Sequence, residues 1–405
     1  MLGKILQIVF LLALASTSLL AQEEQATAVR GGQFPRTHDN IHLEMVFNYQ
    51  LTQPQLSSET GVVDLVWGSD WATLPTGMYN TAYIPISVDN FTKSVKWYKT
   101  NHPDWLEYRC DQKTLAFEFG AKNLAPLDFT NPAVQAFQQA NWIDAPLAAG
   151  YQGIAVDTMD LTNDWQRCGH YDAGGKWVQQ YTGNLGDPAF RRDLLAWEST
   201  TYEHVHKQSK TATMQVNVTY HFGEPLADNQ KLMTTTDLLF DERGFTNFGV
   251  APGVPTPSEW ETLVTQLEYV QSKGICYMTN GEQPVLTADI TQAERLWTIG
   301  NYLLVKNNCT YMYMTGLTAS GGQDYGKLLT FPEYGIAIGH PTGTMTKTQG
   351  IWQRRYSNGL TLVNPYNRPA KVTLPAGNWV DVNGILVGPT IRLTKQAAQV
   401  LLIAP

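Results

Sequence analysis

The stretch GYQGIAVDTMD, residues 150–160, decides the fold. A glycine can end a preceding helix, and the GIAVD run that follows reads as a short strand. Because alternate side chains of a strand point to opposite faces, Ala155 and Asp157 share one face while Ile154 and Val156 share the other. Small residues on one face and branched ones on the other are typical of a parallel strand between a barrel interior and a coat of helices. Asp157 then stands at the carboxyl end of the strand.

Size and composition allow a barrel with a second domain. The chain has 405 residues, of which 43% are hydrophobic and 16% charged, so a disordered chain is excluded. Its 12 tryptophans and 19 tyrosines serve core packing or the stacking of sugar rings. The formal net charge of -8, with no basic stripe, argues against a nucleic-acid partner. We expect a monomer.

The N-terminus has the pattern of an export signal. Lys4 supplies a positive start, an apolar run from Ile5 to Ala15 follows, and small residues come next. We therefore predict a signal peptide at 1–21 and a polar linker at 22–40. The alternative, a retained membrane anchor, is disfavoured because the apolar run is short for a membrane span. A secreted or periplasmic protein without stable membrane insertion is expected.

Four cysteines occur, and export changes how they are interpreted. None lies in a CxxC pair, so a zinc site is disfavoured, whereas disulfides are permitted in an oxidising compartment. We predict the pairs Cys110–Cys168 and Cys276–Cys309, although sequence alone cannot establish connectivity. Neither a metal nor an organic cofactor is expected.

Short strands alternate with helices after the third strand. Helix starts are marked by Asn131-Pro132, by Asp187-Pro188 and by the capping box from Thr256 to Glu259. This alternation favours a parallel sheet closed into a (β/α)8 TIM barrel over residues 41–345. An open doubly wound sheet is the alternative, but no glycine-rich phosphate loop follows the first strand. The predicted strands are 42–49, 62–70, 105–108, 153–157, 214–220, 237–244, 275–281 and 310–316.

The pattern changes after residue 345. Short β-runs broken by Asn-Gly, proline and glycine predict a small antiparallel β domain, sandwich-like, over 346–405. We assign this domain a structural role, packed on the barrel.

Acidic residues at the ends of two strands indicate the chemistry. Glycoside cleavage needs one acid to protonate the leaving oxygen and one carboxylate to act as a nucleophile or to activate water. Asp157 and Glu242 fit these catalytic roles at the ends of strands four and six. Asp241 competes with Glu242 for the inward position, and Arg243 could hold the charge of either acid. As substrate-binding candidates we select Trp67, Asp70, Trp71, Asp160, Asp164, Asn217 and Arg243.

Other chemistries find less support in the sequence. Neither GxSxG nor HExxH occurs. His38 and His42 weakly indicate a metal-dependent sugar deacetylase, but histidines beside a polar linker are more often solvated. His204 and His206 lie two apart in a helix and point in different directions. A non-catalytic carbohydrate-binding barrel stays open as the second hypothesis.

Four motifs carry a family resemblance. HPDWLEY (102–108), LDFTNPAVQAF (127–137), AAGYQGIAVDTMD (148–160) and GIWQRRYSNGLTLVNP (350–365) together resemble glycosyl-hydrolase-like family 15, over about residues 42 to 390. The third motif is also similar to endo-polygalactosaminidase barrels, in which an aspartate at this strand end and a later glutamate are taken as catalytic. The resemblance implies an exported (β/α)8 enzyme with a C-terminal β domain that hydrolyses O-glycosidic bonds. It carries the aspartate over to Asp157, and Glu242 matches the glutamate in kind and approximate place.

Overall fold

The computed structural model describes residues 34–404 except 36, 76, 90, 219–222, 251–252 and 327–328. The predicted signal peptide therefore lies outside the described residues. Among the helices that the structure does describe, none is long and apolar enough to cross a membrane.

Eight parallel strands close into a barrel in which each strand pairs with its neighbour in the chain, and the eighth pairs with the first. Closure removes the sheet edges, and the (β/α)8 prediction is confirmed. The strands are β1 Leu43–Val46, β2 Val63–Trp67, β3 Tyr79–Pro85, β4 Gly153–Asp157, β5 Thr213–Asn217, β6 Leu238–Asp241, β7 Cys276–Leu286 and β8 Thr310–Leu317.

The third predicted strand is wrong. Residues 103–105 form a 3-10 helix that begins at Pro103, whose ring fixes φ and removes a donor that a ladder needs. Tyr108 instead pairs in a small antiparallel sheet outside the barrel. The barrel uses β3, whose run YNTAYIP contains β-forming residues but also a proline and polar positions that weaken its signal.

Helices cover the barrel. The capping box is present as predicted: Thr256 Oγ1 accepts from the amide of Glu259, whose carboxylate accepts from the amide of Thr256 at 2.9 Å. A π-helical turn, Gln139–Asp144, joins the third helix to the fourth. The helices are α1 Gln53–Ser58, α2 Val95–Asn101, α3 Pro132–Gln138, α4 Ala145–Ala149, α5 Pro188–Gln208, α6 Leu226–Thr234, α7 Pro257–Ser272 and α8 Gln292–Val305.

Long excursions follow β3 and β4, at the ends of the strands where barrel enzymes carry their sites. A three-stranded antiparallel sheet joins them, built from Tyr108–Arg109, Arg167–Tyr171 and Trp177–Gln179, and a two-stranded ladder pairs Val88–Asp89 with Ala125–Pro126. The disulfide Cys110–Cys168 links the two excursions, and Cys276–Cys309 links β7 to the residue before β8. Both predicted pairs are confirmed.

The opposite end of the barrel is closed by the segment just before β1. Phe34 is buried and its ring lies 4.8 Å from that of Tyr79. The Thr37 amide donates to the carbonyl of Asn308 at 3.1 Å, and the hydroxyl of Tyr311 bonds the carbonyl of Pro35. The predicted linker 22–40 thus ends in residues that belong to the barrel core, because an apolar ring fills the space below the strands.

Two packed antiparallel sheets form the C-terminal domain, as predicted. They enclose a core that contains Leu362, Val372, Leu393 and Leu401. The six-stranded sheet contacts α8, where the Gly300 carbonyl accepts from Thr361 Oγ1 at 3.2 Å. The strands are β9 Thr346–Thr348, β10 Ile351–Tyr356, β11 Gly359–Asn364, β12 Ala370–Thr373, β13 Trp379–Val380, β14 Leu386–Val387, β15 Thr390–Leu393 and β16 Ala397–Ile403.

Candidate active site

Asp157 is the last residue of β4. Ala155 of the same strand packs in the barrel interior, whereas Ile154 and Val156 pack under the helices, so the alternation turns Asp157 inward. Its Oδ2 accepts from the Tyr83 hydroxyl at 2.8 Å, and its Oδ1 accepts from the amide of Thr158 at 2.8 Å. Both carboxylate oxygens are therefore oriented by neighbours.

Asn217, at the end of the adjacent strand β5, joins this acid to a second one. Its Nδ2 donates to Asp157 Oδ1 at 2.9 Å and to Glu242 Oε2 at 2.7 Å. One amide nitrogen thus uses both of its protons on two carboxyl groups from different strands. The two acids face the same space at the mouth of the barrel.

Glu242 directly follows β6. Leu238 and Phe240 of that strand pack in the barrel interior, so Glu242 continues their inward face. Asp241 points the other way, where it accepts from the amide of Gly244 at 2.9 Å and lies 3.2 Å from the hydroxyl of Tyr277. The choice that the sequence left open between the two acids is therefore decided by the register of β6.

A third acid, Glu282 on β7, belongs to the same cluster and was not identified from sequence. The Tyr325 hydroxyl lies 2.8 Å from Glu242 Oε1 and also hydrogen-bonds Glu282 Oε1. Asn280 Nδ2 donates to Glu282 Oε1 at 2.9 Å, and Gln323 Nε2 donates to Oε2 at 3.3 Å. Glu282 directly follows the predicted strand 275–281, which is the same strand-end signal that selected Glu242.

Burial and mutual repulsion shift the pKa values of these acids. Burial, with the charges of Asp157 and Glu282, raises the pKa of Glu242 to about 8. Burial also raises the pKa of Asp157, but hydrogen bonds from Asn217, Tyr83 and Thr158 oppose this by stabilising its charge. Of the two acids, the arrangement therefore favours the proton on Glu242, because more hydrogen-bond donors stabilise the charge of Asp157.

A buried charge cluster supports the excursions around Asp157. The Arg167 guanidinium, 0% exposed, bonds Glu107 and lies 2.9 Å from Glu118 Oε1. It also donates to the carbonyls of Leu127 and Ser87, each at 3.3 Å. Burial raises the pKa of Glu118, the arginine lowers it, and the charge of Asp157 raises it further. The cluster thus lies close enough to the site to act on it electrostatically.

The sequence model of hypothetical glycosyl hydrolase family 15 matches residues 74–360, which is more than half of the chain. The chain belongs to this family. Membership confirms the predicted class, a glycosidase that acts on a carbohydrate substrate. No curated protein sequence matches the chain.

Solved glycosidase structures are similar to this family member at low sequence identity. An Anoxybacillus α-amylase is 12% identical with a TM-score of 0.48, and the chain covers 98% of it with 91% of its own length. Eubacterium rectale Amy13B is 10% identical with a TM-score of 0.49, at coverages of 93% of this chain and 99% of the other. The cyclic α-maltosyl-(1→6)-maltose hydrolase of Arthrobacter globiformis is 10% identical with a TM-score of 0.46, at 94% of each chain.

Three candidate substrate residues near β2 lie apart from the acids in this glycosidase. Trp67 is 1% exposed and packs beneath the site against Phe47, Tyr83 and Phe240. Trp71 packs on a cluster outside the barrel, and Asp70 is exposed beside it. Within the described residues, none of these three side chains hydrogen-bonds Asp157 or Glu242, and Trp67 approaches Asp157 only through the ring of Tyr83.

The remaining candidates fall into two groups. Asp160 and Asp164 line a small cleft with Thr158, next to Asp157, and Asp164 accepts from Thr162 at 2.6 Å. Arg243 donates to Glu259 on α7 at 3.3 Å and to Asn247 at 3.0 Å, so the guanidinium is directed toward the helix layer. Its charge lowers the pKa of Asp241, which burial raises to about 6.

The histidines do not converge on the acids. His42 Nδ1 lies 2.7 Å from Asp64, and the His38 ring packs 5.1 Å from that of His340. His204 pairs with Asp144 and His206 with Asp237, in the helix layer and at the start of β6. Within the described part of the chain, no three histidine, cysteine or acidic side chains form a group that could hold a metal ion.

Proposed function

We propose that the chain is an exported glycoside hydrolase that cleaves O-glycosidic bonds of a poly- or oligosaccharide with retention, using Asp157 and Glu242. The observation that carries the proposal is the single nitrogen of Asn217 bound to both carboxyl groups. It holds an acid and a carboxylate at a set separation across the space where a glycosidic bond would lie.

The separation favours retention over inversion. Because the two hydrogen bonds measure 2.9 and 2.7 Å, the two oxygens that share Asn217 Nδ2 lie at most about 5.6 Å apart. This places the nearest atoms of the two acids close to the roughly 5–5.5 Å typical of retaining glycosidases, whereas inversion uses carboxyl groups roughly 6.5–9.5 Å apart. At the retaining separation, the second carboxylate reaches the anomeric carbon directly, without a water molecule between them. Asp157 therefore acts as the nucleophile.

The proposed cycle has two steps. Glu242 gives its proton to the glycosidic oxygen as Asp157 attacks the anomeric carbon, so the C–O bond breaks and a glycosyl ester forms on Asp157. Water then attacks the same carbon, gives a proton back to Glu242 and releases the sugar from Asp157. The raised pKa of Glu242 suits this alternation of acid and base, and the three hydrogen bonds to Asp157 suit a charged nucleophile.

An aromatic pair, one ring exposed and the other half-buried, supports a sugar substrate. Phe119 is 74% exposed and its ring lies 4.6 Å from that of Trp165, where the excursions after β3 and β4 meet. Trp165 lines the same cleft as Thr158 and Asp160, beside the proposed nucleophile. Rings of this kind stack on the apolar faces of sugars. We infer that Asp160, Asp164 and this pair contact the glycan.

Two disulfides support the proposed export, because such bonds persist in oxidising compartments. The export signal itself is predicted from residues 1–21 alone. A monomer is proposed since one chain supplies every side chain of the acid cluster.

Polysaccharide digestion with the wild type and two isosteric variants tests the proposal. Asp157→Asn and Glu242→Gln should each lower the release of reducing ends by about 1,000-fold or more while the thermal unfolding midpoint stays within a few degrees. In Asp157→Gly, azide should restore turnover of an activated aryl glycoside by replacing the missing nucleophile. Saturable glycan binding without turnover would instead favour the non-catalytic binding barrel, and full activity in either isosteric variant would remove that residue from the mechanism.

A further inference from the structure

The Tyr325 hydroxyl has three hydrogen-bonding neighbours but only one proton. Asn280 Nδ2 donates to it at 2.7 Å, and the carboxyl groups of Glu242 and Glu282 flank it on the other sides. A phenol can donate one hydrogen bond and accept two. If it accepts from the amide and donates to one carboxylate, the other carboxyl must donate to the phenol. That carboxyl must therefore carry a proton.

Reversing the Asn280 amide does not remove this requirement. With its oxygen toward Tyr325, the amide would accept the phenol proton, and both carboxyl groups would then have to donate to the phenol oxygen. That arrangement needs two protons, and it also turns the amide oxygen toward Glu282 Oε1. With one proton for each hydrogen bond, at least one of the two glutamic acids is protonated in either orientation. The orientation with Nδ2 toward Tyr325 needs the fewest protons.

The surrounding donors determine which carboxyl holds the proton. Glu282 receives hydrogen bonds from Asn280 and Gln323 in addition to Tyr325. Glu242 has Asn217 and Tyr325 as its partners, and Asp157 lies on the other side of that asparagine. Because donors stabilise charge and a neighbouring carboxylate opposes it, Glu282 is the more stable anion and Glu242 holds a proton more tightly.

We propose that Glu282 is a positioning residue that acts through Tyr325 to keep the proton on Glu242, so that the two glutamic acids hold one proton between them. The shared proton itself does not depend on the proposed function. Only its consequence, that Glu242 is protonated and able to act as the general acid, rests on that function. When Glu242 has given its proton to the leaving group, two carboxylates face one phenol proton. The repulsion makes Glu242 a stronger base for the water that completes the cycle.

The other charged groups around Glu242 are distributed over four elements. Asp157 faces it from β4, Glu282 from β7 and Tyr325 from the loop after β8, and its charge acts on Tyr83 of β3. Burial raises the pKa of Glu242 to about 8 and that of Glu282 to about 7. The acid with fewer hydrogen-bond donors, Glu242, thus has the higher pKa.

Infrared difference spectroscopy of the full chain with 13C-labelled glutamate tests the shared proton without any substrate. Between about pH 7.5 and 9, above the pKa of Glu282, Glu242→Gln and Glu282→Gln should each lose one titrating glutamic acid relative to the wild type. The double variant should lose no more titrating protons than either single variant, because both substitutions remove the same shared proton. Loss of two protons in the double variant, or of none, would overturn the proposal.

The pH dependence of kcat/KM on an aryl glycoside tests the consequence. Glu282→Gln should move the basic limb toward acid by about one pH unit or more, because a nearby negative charge has been removed. In a Tyr325→Phe background, the same change should produce a clearly smaller shift. The matched control is Glu44→Gln, another buried acid of the barrel, which should leave the limb unmoved. An unmoved limb in Glu282→Gln would contradict the role of Glu282 even where Asp157 and Glu242 prove essential.

Discussion

Asp157 ends β4 and Glu242 directly follows β6, 85 positions later in the sequence. Both accept hydrogen bonds from the same nitrogen of Asn217, at 2.9 and 2.7 Å. The nitrogen keeps two acids close without a counter-ion between them. Because a single donor orients both oxygens, removing it takes a hydrogen bond from both carboxyl groups at once.

Replacing Asn217 with aspartate should therefore abolish the arrangement at constant side-chain shape. A carboxylate cannot donate to either acid, and as a third negative charge it raises the pKa of both. We expect kcat to fall by about 100-fold or more, measured on the best glycoside substrate. Asn217→Ser, which keeps one donor, should retain more activity. Equal activity in Asn217→Asp and the wild type would contradict the bridging role.

Arg167 should be a major contributor to stability. Its removal leaves Glu107 and Glu118 buried without their cation, and breaking a buried pair from one side costs about 3–5 kcal/mol. Urea unfolding of Arg167→Met should show a loss of this size. The control is Arg192→Met, since Arg192 is 69% exposed and pairs with Asp193 at the surface; its loss should be within about 1 kcal/mol. Similar midpoints for the two variants would show that the cluster carries no net stabilisation.

Glu44 should make stability fall as pH rises. It is 0% exposed, and neither carboxyl oxygen has a hydrogen-bond partner within the described residues. Burial raises its pKa well above 4.5, so the folded state binds the proton more tightly than the unfolded state does. Between pH 4.5 and the raised pKa, this group removes about 1.4 kcal/mol of stability per pH unit.

Glu44→Gln should remove that dependence. Thermal or urea unfolding at several pH values should give the variant a stability near that of the wild type at pH 4 and an advantage that grows with pH. Parallel curves for the two proteins across the range would show that Glu44 does not titrate on unfolding.

Phe119 should affect binding more than stability. The residue has φ 49° and ψ 18°, a left-handed conformation that costs a phenylalanine energy but suits glycine. Phe119→Gly should therefore leave the unfolding midpoint unchanged or slightly higher, while KM for an oligosaccharide rises about tenfold as the ring is lost. Ile385→Ala, at an exposed apolar position of the C-terminal domain, is the control and should leave KM unchanged. An unaltered KM in Phe119→Gly would exclude this ring from the glycan contacts.

Some of the predictions from sequence failed because their signals depend on distant partners. The stretch that contains Pro103 and Trp105 is aromatic enough to resemble a strand, but it forms a 3-10 helix. The third barrel strand is Tyr79–Pro85 instead, whose polar residues pair with strands that are distant in sequence, so the local pattern does not predict it. Trp67 looked available for stacking, but Phe47 and Phe240 bury it. The histidine pairs likewise found acidic partners in remote segments rather than a metal site.

Local patterns determined much of this protein. The alternation in GIAVD turned Asp157 inward. The capping box at Thr256 and the cap Asp187 with its following proline located helix starts. Both signals depend on neighbours within a few residues. Only the tertiary structure decided that Glu242 rather than Asp241 faces the centre, and that Tyr325 joins Glu242 to Glu282. Those contacts join side chains from strands and loops far apart in sequence, and barrel closure brings them within hydrogen-bonding distance.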